Sequence, residues 1–224
     1  SAEHDISILS ARNIIKSLVQ TDYAIAVNYI SPQGQWWRLN QATDLLESDP
    51  ASLLAQHQAQ ALVCLPGEPQ PLRLQRAIDQ PLDCYCVFSV LHGTHGEDGV
   101  MQGCLETLQL PFVGCDTLAS SICMAKHVAK PLLAHAGIPT APGVILQKHN
   151  WQQVIAQSET QACIESLAAP WFVKPSQQGS SVGVSKCQNE AELFQAIEMA
   201  FGYDSVVLIE KCIKGREIEC AVIG

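Results

Sequence analysis

The sequence predicts an α/β protein whose N-terminal part is built on an open parallel sheet. The apolar run at 83–91 is typical of a central strand that is buried on both faces. Polar residues follow it at once and a helical pattern comes next at 100–108, which is the order of a strand–helix unit. Residues 172–186 show a different pattern, strand, glycine- and serine-rich loop, strand, which indicates a hairpin. The change between these patterns predicts a first domain that ends near Met124 and a second domain after it.

The other elements follow from local spacing. Apolar residues at helical intervals predict a first helix up to Val19, with residues 1–4 as its entry turn. Further helices are predicted at 44–60 with a break at Asp49-Pro50, and at 116–124, 126–136, 150–167 and 190–201. Short strands are predicted at 23–30, 36–39, 110–114, 141–146, 205–209 and 218–223. Pro131 has no backbone N–H, so it should kink its helix or mark the residue where that helix begins.

Composition and charge limit the classes of function. Hydrophobic residues make up 47% of the 224 residues and charged residues 16%, which allows a sizeable core and argues against disorder. A formal net charge of −9 argues against nucleic acid or an anionic membrane as the main partner. We expect a cytoplasmic protein, because the chain shows neither a long apolar run nor a signal-peptide pattern. None of the ten cysteines forms a C-x-x-C pair, which favours reduced, mostly buried thiols over a zinc site.

The segment FVKPSQQGSSVGVSK has the composition of a loop that binds phosphate. Gly179 and Gly183 allow the backbone to approach a ligand, and successive N–H groups of such a loop can surround phosphate oxygens. Ser180 adds a hydroxyl group and Lys174 adds a positive charge. The segment lacks the G-x-x-x-x-G-K-[ST] pattern and no helix follows at once, so it is not a Walker-type P-loop. The alternative interpretation is a flexible surface hairpin.

A second polar segment, HGTHGEDG, follows the strand predicted at 83–91. Open α/β sheets bind ligands beyond the carboxyl ends of their central strands, so this segment is a candidate ligand site. Its acidic residues, Glu97 and Asp98, lie near the positive end of the helix that follows. The alternative interpretation is that His92 and His95 are ordinary loop histidines.

Four separated segments stand in a distinctive order: SAEH at 1–4, HGTHGEDGVMQG at 92–103, PWFVKPSQQGSSVGVSK at 170–186 and VLIEKCIKGREIECAVIG at 207–224. In order and spacing they resemble the D-alanine–D-alanine ligases of the ATP-grasp superfamily. PFVGCDTLASSICMAK is similar to the family's junction between its first two domains. The resemblance implies a Rossmann-like α/β substrate-binding domain at 1–124, an ATP-grasp central subdomain at 125–209 and the start of the C-terminal ATP-grasp subdomain at 210–224.

The resemblance also implies which residues bind the first D-alanine. Glu3 matches the acidic residue that binds the ammonium group of this substrate. The resemblance also implies a catalytic role for Glu3. His92 matches the histidine near the substrate carboxylate, and Glu97 matches a supporting polar contact.

For the nucleotide, the resemblance implies two lysines, a covering loop and a strand. Lys126 and Lys174 match lysines that contact the phosphates. Ser180, the other residue with an implied catalytic role, and Ser181 match the segment that covers the phosphates. The implied contacts to the nucleoside are Glu210 and Lys211 at the adenine edge, Ile213 beside the ring and Glu217 at the ribose hydroxyls. Taken alone, Glu210 and Lys211 could equally be a solvated strand end, and Lys126 alone would be interpreted as a solvated helix lysine.

The activity implied by the resemblance is ligation driven by ATP, with magnesium or manganese as the metal. ATP phosphorylates the carboxylate of one D-alanine, and the amine of a second attacks the acyl phosphate to give D-alanyl-D-alanine for peptidoglycan synthesis. Lysines and loop N–H groups suit the charge that develops on the transferred phosphoryl group. A homodimer is implied as well. The alternatives are D-serine or D-lactate as the second substrate, or a nucleotide-binding module without ligase activity.

The chain departs from the family pattern in several places. The strand and the Gly-Gly turn that normally precede SAEH are missing, and Ala125 stands where an aspartate is common. The chain ends before the region that normally supplies the metal-binding carboxylates and asparagine, an arginine and the second-substrate subsite. We therefore expect a piece of a longer ligase that is inactive by itself, with its metal ligands beyond Gly224.

Overall fold

The computed structural model describes residues 3–222, and the chain divides into two compact units, Ser1–Ser121 (unit 1) and Ile122–Gly224 (unit 2). The boundary falls within the helix Thr117–Met124, near the residue where the sequence predicts the end of the first domain. The domain limits at 1–124, 125–209 and 210–224 stay a prediction.

Unit 1 mixes helices with short strands. Its helices are α1 (His4–Leu18), α2 (Asp44–Glu47), α3 (Pro50–Ala55), α4 (Val100–Thr107) and α5 (Thr117–Met124). Its strands are β1 (Asn28–Ile30), β2 (Trp36–Leu39), β3 (Ala59–Cys64), β4 (Leu72–Leu74), β5 (Ala77–Pro81), β6 (Val87–Phe88) and β7 (Phe112–Val113). Strands β1 to β5 form one antiparallel sheet in sequence order, whereas β6 and β7 form a separate parallel pair.

Two apolar clusters hold unit 1 together. In the first, Ile15 of α1 packs with Leu39 of β2 and Leu53 of α3. In the second, Leu105 of α4 packs with Leu62 of β3. Full burial of each of these side chains contributes about 1.5–3 kcal/mol. The first helix predicted from apolar spacing is thus confirmed, although its entry turn at residues 1 and 2 lies outside the described residues.

The α/β class is confirmed, but the long, doubly buried parallel strand predicted at 83–91 is wrong. Within that run only β6 is a strand, and among the described residues its one partner is β7. Tyr85 is 94% exposed and Phe88 is 52% exposed. Apolarity shows which residues could be buried, but burial of a strand needs neighbours on both edges and layers on both faces. The parallel sheet is therefore small, and the larger sheet of unit 1 is antiparallel.

Unit 2 is a four-stranded antiparallel sheet with helices. Its helices are α6 (Lys126–His135), α7 (Trp151–Ile155), α8 (Ser158–Leu167) and α9 (Glu190–Ala200). Its strands are β8 (Gly143–Gln147), β9 (Trp171–Pro175), β10 (Ser185–Cys187) and β11 (Val206–Lys211). The order across the sheet is β10-β9-β11-β8, and every neighbouring pair is antiparallel. The hairpin predicted at 172–186 is confirmed as β9, a loop and β10.

One face of this sheet carries the core of unit 2. Val173 of β9 and Val207 and Ile209 of β11 are fully buried there, with Ile197 of α9 and Ile164 of α8 packed against them. Successive side chains of a strand point to opposite faces, so the residues between these core positions point to the other face. That second face carries the polar groups described below.

Several local predictions need correction. The helix predicted at 150–167 is two helices, because Gln157 is extended and interrupts it. Pro131 does not begin a helix, since α6 starts at Lys126 and loses only one backbone donor at the proline. The first strand is limited to β1, and no strand forms at 218–222, where the residues are exposed and lack a paired neighbour. Ile223 lies outside the described residues.

The prediction that most thiols are buried is wrong. All ten cysteines are free, but Cys187 is the one that is buried, four are partly buried and five are exposed. Apolar neighbours in sequence do not determine which face of an element a cysteine occupies.

Helix α9 begins at the side-chain cap that the sequence predicts. Asn189 accepts a hydrogen bond from the N–H of Glu192 (3.0 Å), and the Glu192 carboxylate accepts one from the N–H of Gln188 (2.8 Å). These bonds satisfy backbone donors that have no partner inside the helix. The helix start places the apolar side of α9, including Leu193, against the sheet.

We expect Asn189→Ala to lower the free energy of unfolding of the protein by about 1 kcal/mol, because the N–H of Glu192 loses its acceptor. Asn150→Ala is the matched control, since Asn150 occupies the same position at α7 without a side-chain capping bond. Urea unfolding measures both changes. Equal losses in the two variants would contradict the capping role of Asn189.

Candidate functional site

One candidate site lies in unit 1, where the start of α1 meets the loop at 92–99. The carbonyl of Glu3 accepts hydrogen bonds from the N–H (3.0 Å) and the hydroxyl (3.1 Å) of Ser7. The Ser7 oxygen accepts a hydrogen bond from the N–H of His92 (2.9 Å). Glu3 and Ser7 are both buried. The structure therefore connects Glu3 to His92 through Ser7, a residue that the sequence analysis did not identify.

The imidazole of His92 is positioned by two further side chains. Its Nε2 atom lies 2.8 Å from the hydroxyl oxygen of Ser10, and its Nδ1 atom lies 3.9 Å from Oε1 of Glu97. The other carboxylate oxygen of Glu97 accepts a hydrogen bond from the N–H of Gly93 (2.7 Å). Of the three residues predicted to bind one substrate, His92 and Glu97 approach each other through their side chains, whereas Glu3 is connected to His92 through its backbone carbonyl and Ser7. Ser7 and Ser10 had one signal in the sequence, their spacing of three residues on a predicted helix.

The backbone path of the loop depends on its glycine and acidic residues. A side chain at Gly96 would meet the carbonyl oxygen of Leu91 at 2.5 Å, so no larger residue fits without movement. Gly99 has a φ of +92°, which favours glycine, and it precedes α4. Asp98 accepts a hydrogen bond from the N–H of Val100 (3.1 Å) at the start of that helix. The backbone conformation at these residues therefore determines where the side chains of the loop at 92–99 lie.

A cleft of about 480 Å³ opens beside this group. Ser10, Asn13 and Ile14 of α1 line it, together with His92 and Glu97 from the loop. Small-molecule sites occupy about 300–1,000 Å³ and combine apolar walls with a few directed polar groups. The cleft has the size and the lining of such a site.

A second candidate site lies in unit 2, on the polar face of the sheet. The carboxylate of Glu210 forms ion pairs with Lys130 through Oε1 and with Lys174 through Oε2. Glu210 is only 5% exposed, so the pairing compensates the loss of its hydration. Lys130 also donates a hydrogen bond to the carbonyl of Ala141 (2.6 Å). The sequence analysis selected Lys174 and Glu210 but not Lys130, whose only signal is its position one helical turn after Lys126.

Strand register explains why these charges meet. Leu208 of β11 stands opposite Lys174 of β9, which puts Lys174 and Glu210 diagonally on the same face. Gly143 of β8 stands opposite Glu210, and a Cβ atom there would lie 3.0 Å from Cγ of Glu210. Glycine at this position leaves room for the buried carboxylate.

Lys126 anchors the beginning of the glycine–serine loop. Its ammonium donates hydrogen bonds to the carbonyls of Ser176 (3.2 Å) and Gln178 (2.7 Å). Burial lowers the pKa of Lys126, and the positive charge of Lys174 lowers it further, while Asp204 opposes the shift. The two lysines predicted to bind phosphate therefore lie close enough to repel each other. An anion placed near them would relieve that repulsion.

Ser176 connects this loop to the start of α6. It is fully buried, and its hydroxyl oxygen accepts a hydrogen bond from the N–H of His127 (3.2 Å) and lies 2.6 Å from Nδ1 of the same residue. The carbonyl of Ser176 accepts a hydrogen bond from the N–H of Lys126 (3.2 Å). Neither Ser176 nor His127 was singled out from the sequence for this role, because the two residues lie 49 positions apart in the chain.

The loop between β9 and β10 has the left-handed residues that its glycine and serine content suggested. Ser180 and Ser181 have φ values of +46° and +60°, and both are exposed. Gly183 has a φ of +69°, and a Cβ atom there would meet Pro175 at 2.7 Å and Tyr203 at 2.8 Å. The close approach of β9 and the loop therefore requires glycine at 183.

Comparisons with known proteins identify the family. The family model described as D-ala D-ala ligase N-terminus matches residues 1–115, and the one described as D-ala D-ala ligase C-terminus matches residues 132–224. The chain belongs to the D-alanine–D-alanine ligase family. The resemblance inferred from the four sequence segments is confirmed.

Sequences similar to this chain belong to the same family. The chain is similar to D-alanine–D-alanine ligase A of Salmonella typhimurium, at 43% identity over all of this chain and 61% of that protein. It spans less than two thirds of the length of such relatives.

Among solved structures, the D-alanine–D-alanine ligase of Coxiella burnetii has a TM-score of 0.86 at 33% identity, over 96% of this chain and 60% of that one. The VanG D-Ala:D-Ser ligase of Enterococcus faecalis has a TM-score of 0.80 at 30% identity, over 96% and 60%. A Bacillus anthracis D-alanine–D-alanine ligase complexed with ATP has a TM-score of 0.50 at 36% identity, over 59% and 42%.

The four residues predicted to contact the nucleoside do not form one group in the structure. Glu210 is buried in the charge cluster that it forms with Lys130 and Lys174, whereas Lys211 is exposed at the end of β11. Ile213 is 62% exposed, and Glu217 is exposed in a segment without secondary structure. Lys126, Lys174 and Glu210 therefore lie near one another. None of the described contacts joins Lys211, Ile213 or Glu217 to them.

The described residues contain neither a ready metal site nor a membrane-spanning helix. Within residues 3–222, no group of three or more His, Cys, Asp and Glu side chains is arranged to hold a metal ion. No helix in this part of the chain is long and apolar enough to cross a membrane.

The loop at 177–183 has one anchored residue and one exposed turn, so we expect its mobility without nucleotide to differ along its length. The N–H of Gln177 donates to Asp204 (2.7 Å), which should slow its exchange with solvent. Ser181 is exposed and lies in a left-handed turn with few apolar neighbours, which is typical of segments with low local stability. Hydrogen exchange of the ligand-free protein should be fast at Ser181 and slow at Ile209 of β11. Equal protection at these two residues would contradict the prediction.

Proposed function

We propose that the protein containing this chain is an ATP-dependent ligase that joins two D-alanine molecules. The observation that carries the proposal is the pair of partly buried lysines, Lys126 and Lys174, beside the glycine–serine loop, in a chain of this family. Ammonium groups and loop N–H groups are suited to hold the phosphates of ATP. The related Bacillus anthracis ligase was solved with ATP bound, and ATP carries phosphates of this kind.

The nucleotide roles are assigned to unit 2. Lys126 and Lys174 bind phosphate oxygens, and Ser180 and Ser181 belong to the loop that covers them. Glu210, Lys211, Ile213 and Glu217 bind the nucleoside, the first two at the adenine edge, the third beside the ring and the last at the ribose. The burial of Glu210 supports a directed contact rather than a solvated charge, because a buried carboxylate keeps one orientation.

The first D-alanine is assigned to unit 1. The Glu3 carboxylate pairs with its ammonium group, His92 lies near its carboxylate, and Glu97 supports His92. The 3.9 Å distance between His92 and Glu97 and the bond between His92 and Ser10 support this arrangement, because they fix the imidazole. A fixed orientation is what lets a side chain position a reacting carboxylate.

The reaction has two steps. The substrate carboxylate oxygen bonds to the γ-phosphorus of ATP as the bond to ADP breaks, which gives an acyl phosphate. The amine of the second D-alanine then bonds to the acyl carbon, phosphate leaves, and the amine loses a proton. Lys126 and Lys174 stabilise charge on the phosphates during the first step. Magnesium or manganese would neutralise further phosphate charge, but residues 3–222 offer no ligand set for it, so we assign the metal ligands to another part of the longer ligase.

A second candidate is a ligase that takes D-serine as the second substrate. The structural similarity to a D-Ala:D-Ser ligase favours this alternative over D-lactate. A nucleotide-binding module without ligase activity belongs to a different class, and it would bind ATP without forming a peptide bond.

The direct test uses the full-length ligase with ATP and D-alanine. We expect one ADP and one phosphate for each D-alanyl-D-alanine formed. D-Serine and D-lactate, each supplied with D-alanine, measure the preference for the second substrate. ATP binding without product from any pair would contradict the ligase and favour the binding module.

Two wider expectations accompany this function. The free cysteines suit the reducing cytoplasm, where we place the enzyme. A homodimer is expected from the family resemblance, and light scattering of the full-length protein measures it.

We expect Lys174→Ala in the full-length ligase to weaken ATP use roughly tenfold to a hundredfold, because a charged hydrogen bond is worth about 1.5–3 kcal/mol. The KM of D-alanine should change much less. Lys148→Ala is the control, since Lys148 is a lysine of the same unit whose ammonium donates to a backbone carbonyl, that of Phe201 (2.8 Å). Steady-state kinetics with varied ATP measures the effect. Unchanged ATP kinetics in Lys174→Ala would remove Lys174 from the site.

We expect Glu3→Gln to impair both turnover and the KM of the first D-alanine, because breaking a buried charge pair costs about 3–5 kcal/mol. ATP binding measured by calorimetry without D-alanine should stay close to that of the unaltered ligase. Asp5→Asn controls for loss of a carboxylate in the same helix turn, since Asp5 is exposed. Loss of ATP binding with intact D-alanine kinetics would refute the assignment of Glu3.

A further inference from the structure

Lys130 is the one member of the buried charge cluster to which the proposed function gives no role. It lies on α6, and its ammonium reaches Glu210, which is 80 positions away in the chain. It is anchored twice, by Oε1 of Glu210 and by the carbonyl of Ala141 (2.6 Å). Its side chain is 20% exposed. A lysine held this way is fixed in position.

Lys174 is held differently, although it shares the same carboxylate. Its ammonium pairs with Oε2 of Glu210, and no other partner is found for it among residues 3–222. It extends from a strand next to the glycine–serine loop, and 25% of its side chain is exposed. Lys174 can therefore exchange its partner without breaking a second anchor, whereas Lys130 cannot.

The charges of the cluster explain why two lysines are needed. If Lys174 moved to a phosphate, Glu210 would be left buried at 5% exposure. A buried carboxylate without a counterion is strongly unfavourable. With Lys130 in place, Glu210 keeps one positive partner throughout. Without Lys130, Glu210 would hold Lys174 more tightly and oppose its transfer.

We propose that Lys130 is a positioning residue: it is the permanent counterion of Glu210 and thereby releases Lys174 to a nucleotide phosphate. The assignment rests on the proposed nucleotide function of this site. Lys130 acts through Glu210 and Lys174 rather than on the nucleotide itself. The consequence is that the effect of Lys130 on binding requires the negative charge of Glu210.

Calorimetric titration of the full-length ligase with ADP tests this dependence in a double-mutant cycle. We expect Lys130→Met to weaken ADP binding about tenfold, the size of effect seen when close charge pairs are broken. Lys130→Arg, which keeps the charge, should bind ADP within about threefold of the unaltered ligase. In a Glu210→Gln background, adding Lys130→Met should change binding less than about twofold, because no carboxylate then competes for Lys174.

A control variant and a comparison between two backgrounds separate this mechanism from a structural role. Lys148→Met removes an ammonium that also donates to a carbonyl in unit 2, and it should leave ADP binding unchanged. An equal, tenfold loss from Lys130→Met in the otherwise unaltered ligase and in the Glu210→Gln variant would overturn the proposal, since the effect would not depend on the carboxylate. If Lys130→Met alone does not fold, the double variant Lys130→Met with Glu210→Gln is compared with Glu210→Gln, and a tenfold loss in that comparison would likewise overturn the proposal.

The test also distinguishes failure of the function from failure of the inference. An unaltered full-length ligase that does not bind ADP would overturn the proposed function together with this role of Lys130. Normal ADP binding by the unaltered ligase and by a folded Lys130→Met would overturn the role of Lys130 alone.

Discussion

The charge cluster formed by Glu210, Lys130 and Lys174 constrains the architecture of unit 2. A carboxylate at 5% exposure is tolerated only if positive partners replace its water. Lys174 must therefore be in the neighbouring strand at the right register, and α6 must direct Lys130 towards the same point. Gly143 must also leave space beside the carboxylate. A single buried charge thus ties together β8, β9, β11 and α6.

The same sheet supports a core and a polar site because of strand alternation. On β11, Val207 and Ile209 enter the apolar core, while Glu210 lies on the other face. The core makes the strand rigid, and a rigid strand fixes the position of the charge. On β9, Val173 and Lys174 divide the two faces in the same way. Stability and the candidate site are thus produced by alternate residues of the same strands.

Local patterns predicted the elements and residues that depend on neighbours in sequence. The cap at Asn189, the hairpin around Gly183 and the place of Lys174 near the end of β9 each follow from a few adjacent residues. Lys130 escaped detection because its partner is 80 positions away, and a lysine on a helix has no local mark of burial. The run at 83–91 misled for a related reason, since its composition could not show that β6 has a single partner among the described residues.

The two candidate sites use different physical means, and the difference matches the chemistry proposed for each. In unit 1, His92 is positioned by the hydroxyls of Ser7 and Ser10 and by the carboxylate of Glu97, which lies 3.9 Å from its Nδ1 atom. These contacts fix one imidazole in the orientation that a small substrate needs. In unit 2, the ammonium groups of Lys126, Lys130 and Lys174 outnumber the carboxylates of Glu210 and Asp204, so this group of side chains retains positive charge. Excess positive charge in a partly buried site favours an anion, and a polyphosphate is the anion that gains most from several fixed ammonium groups.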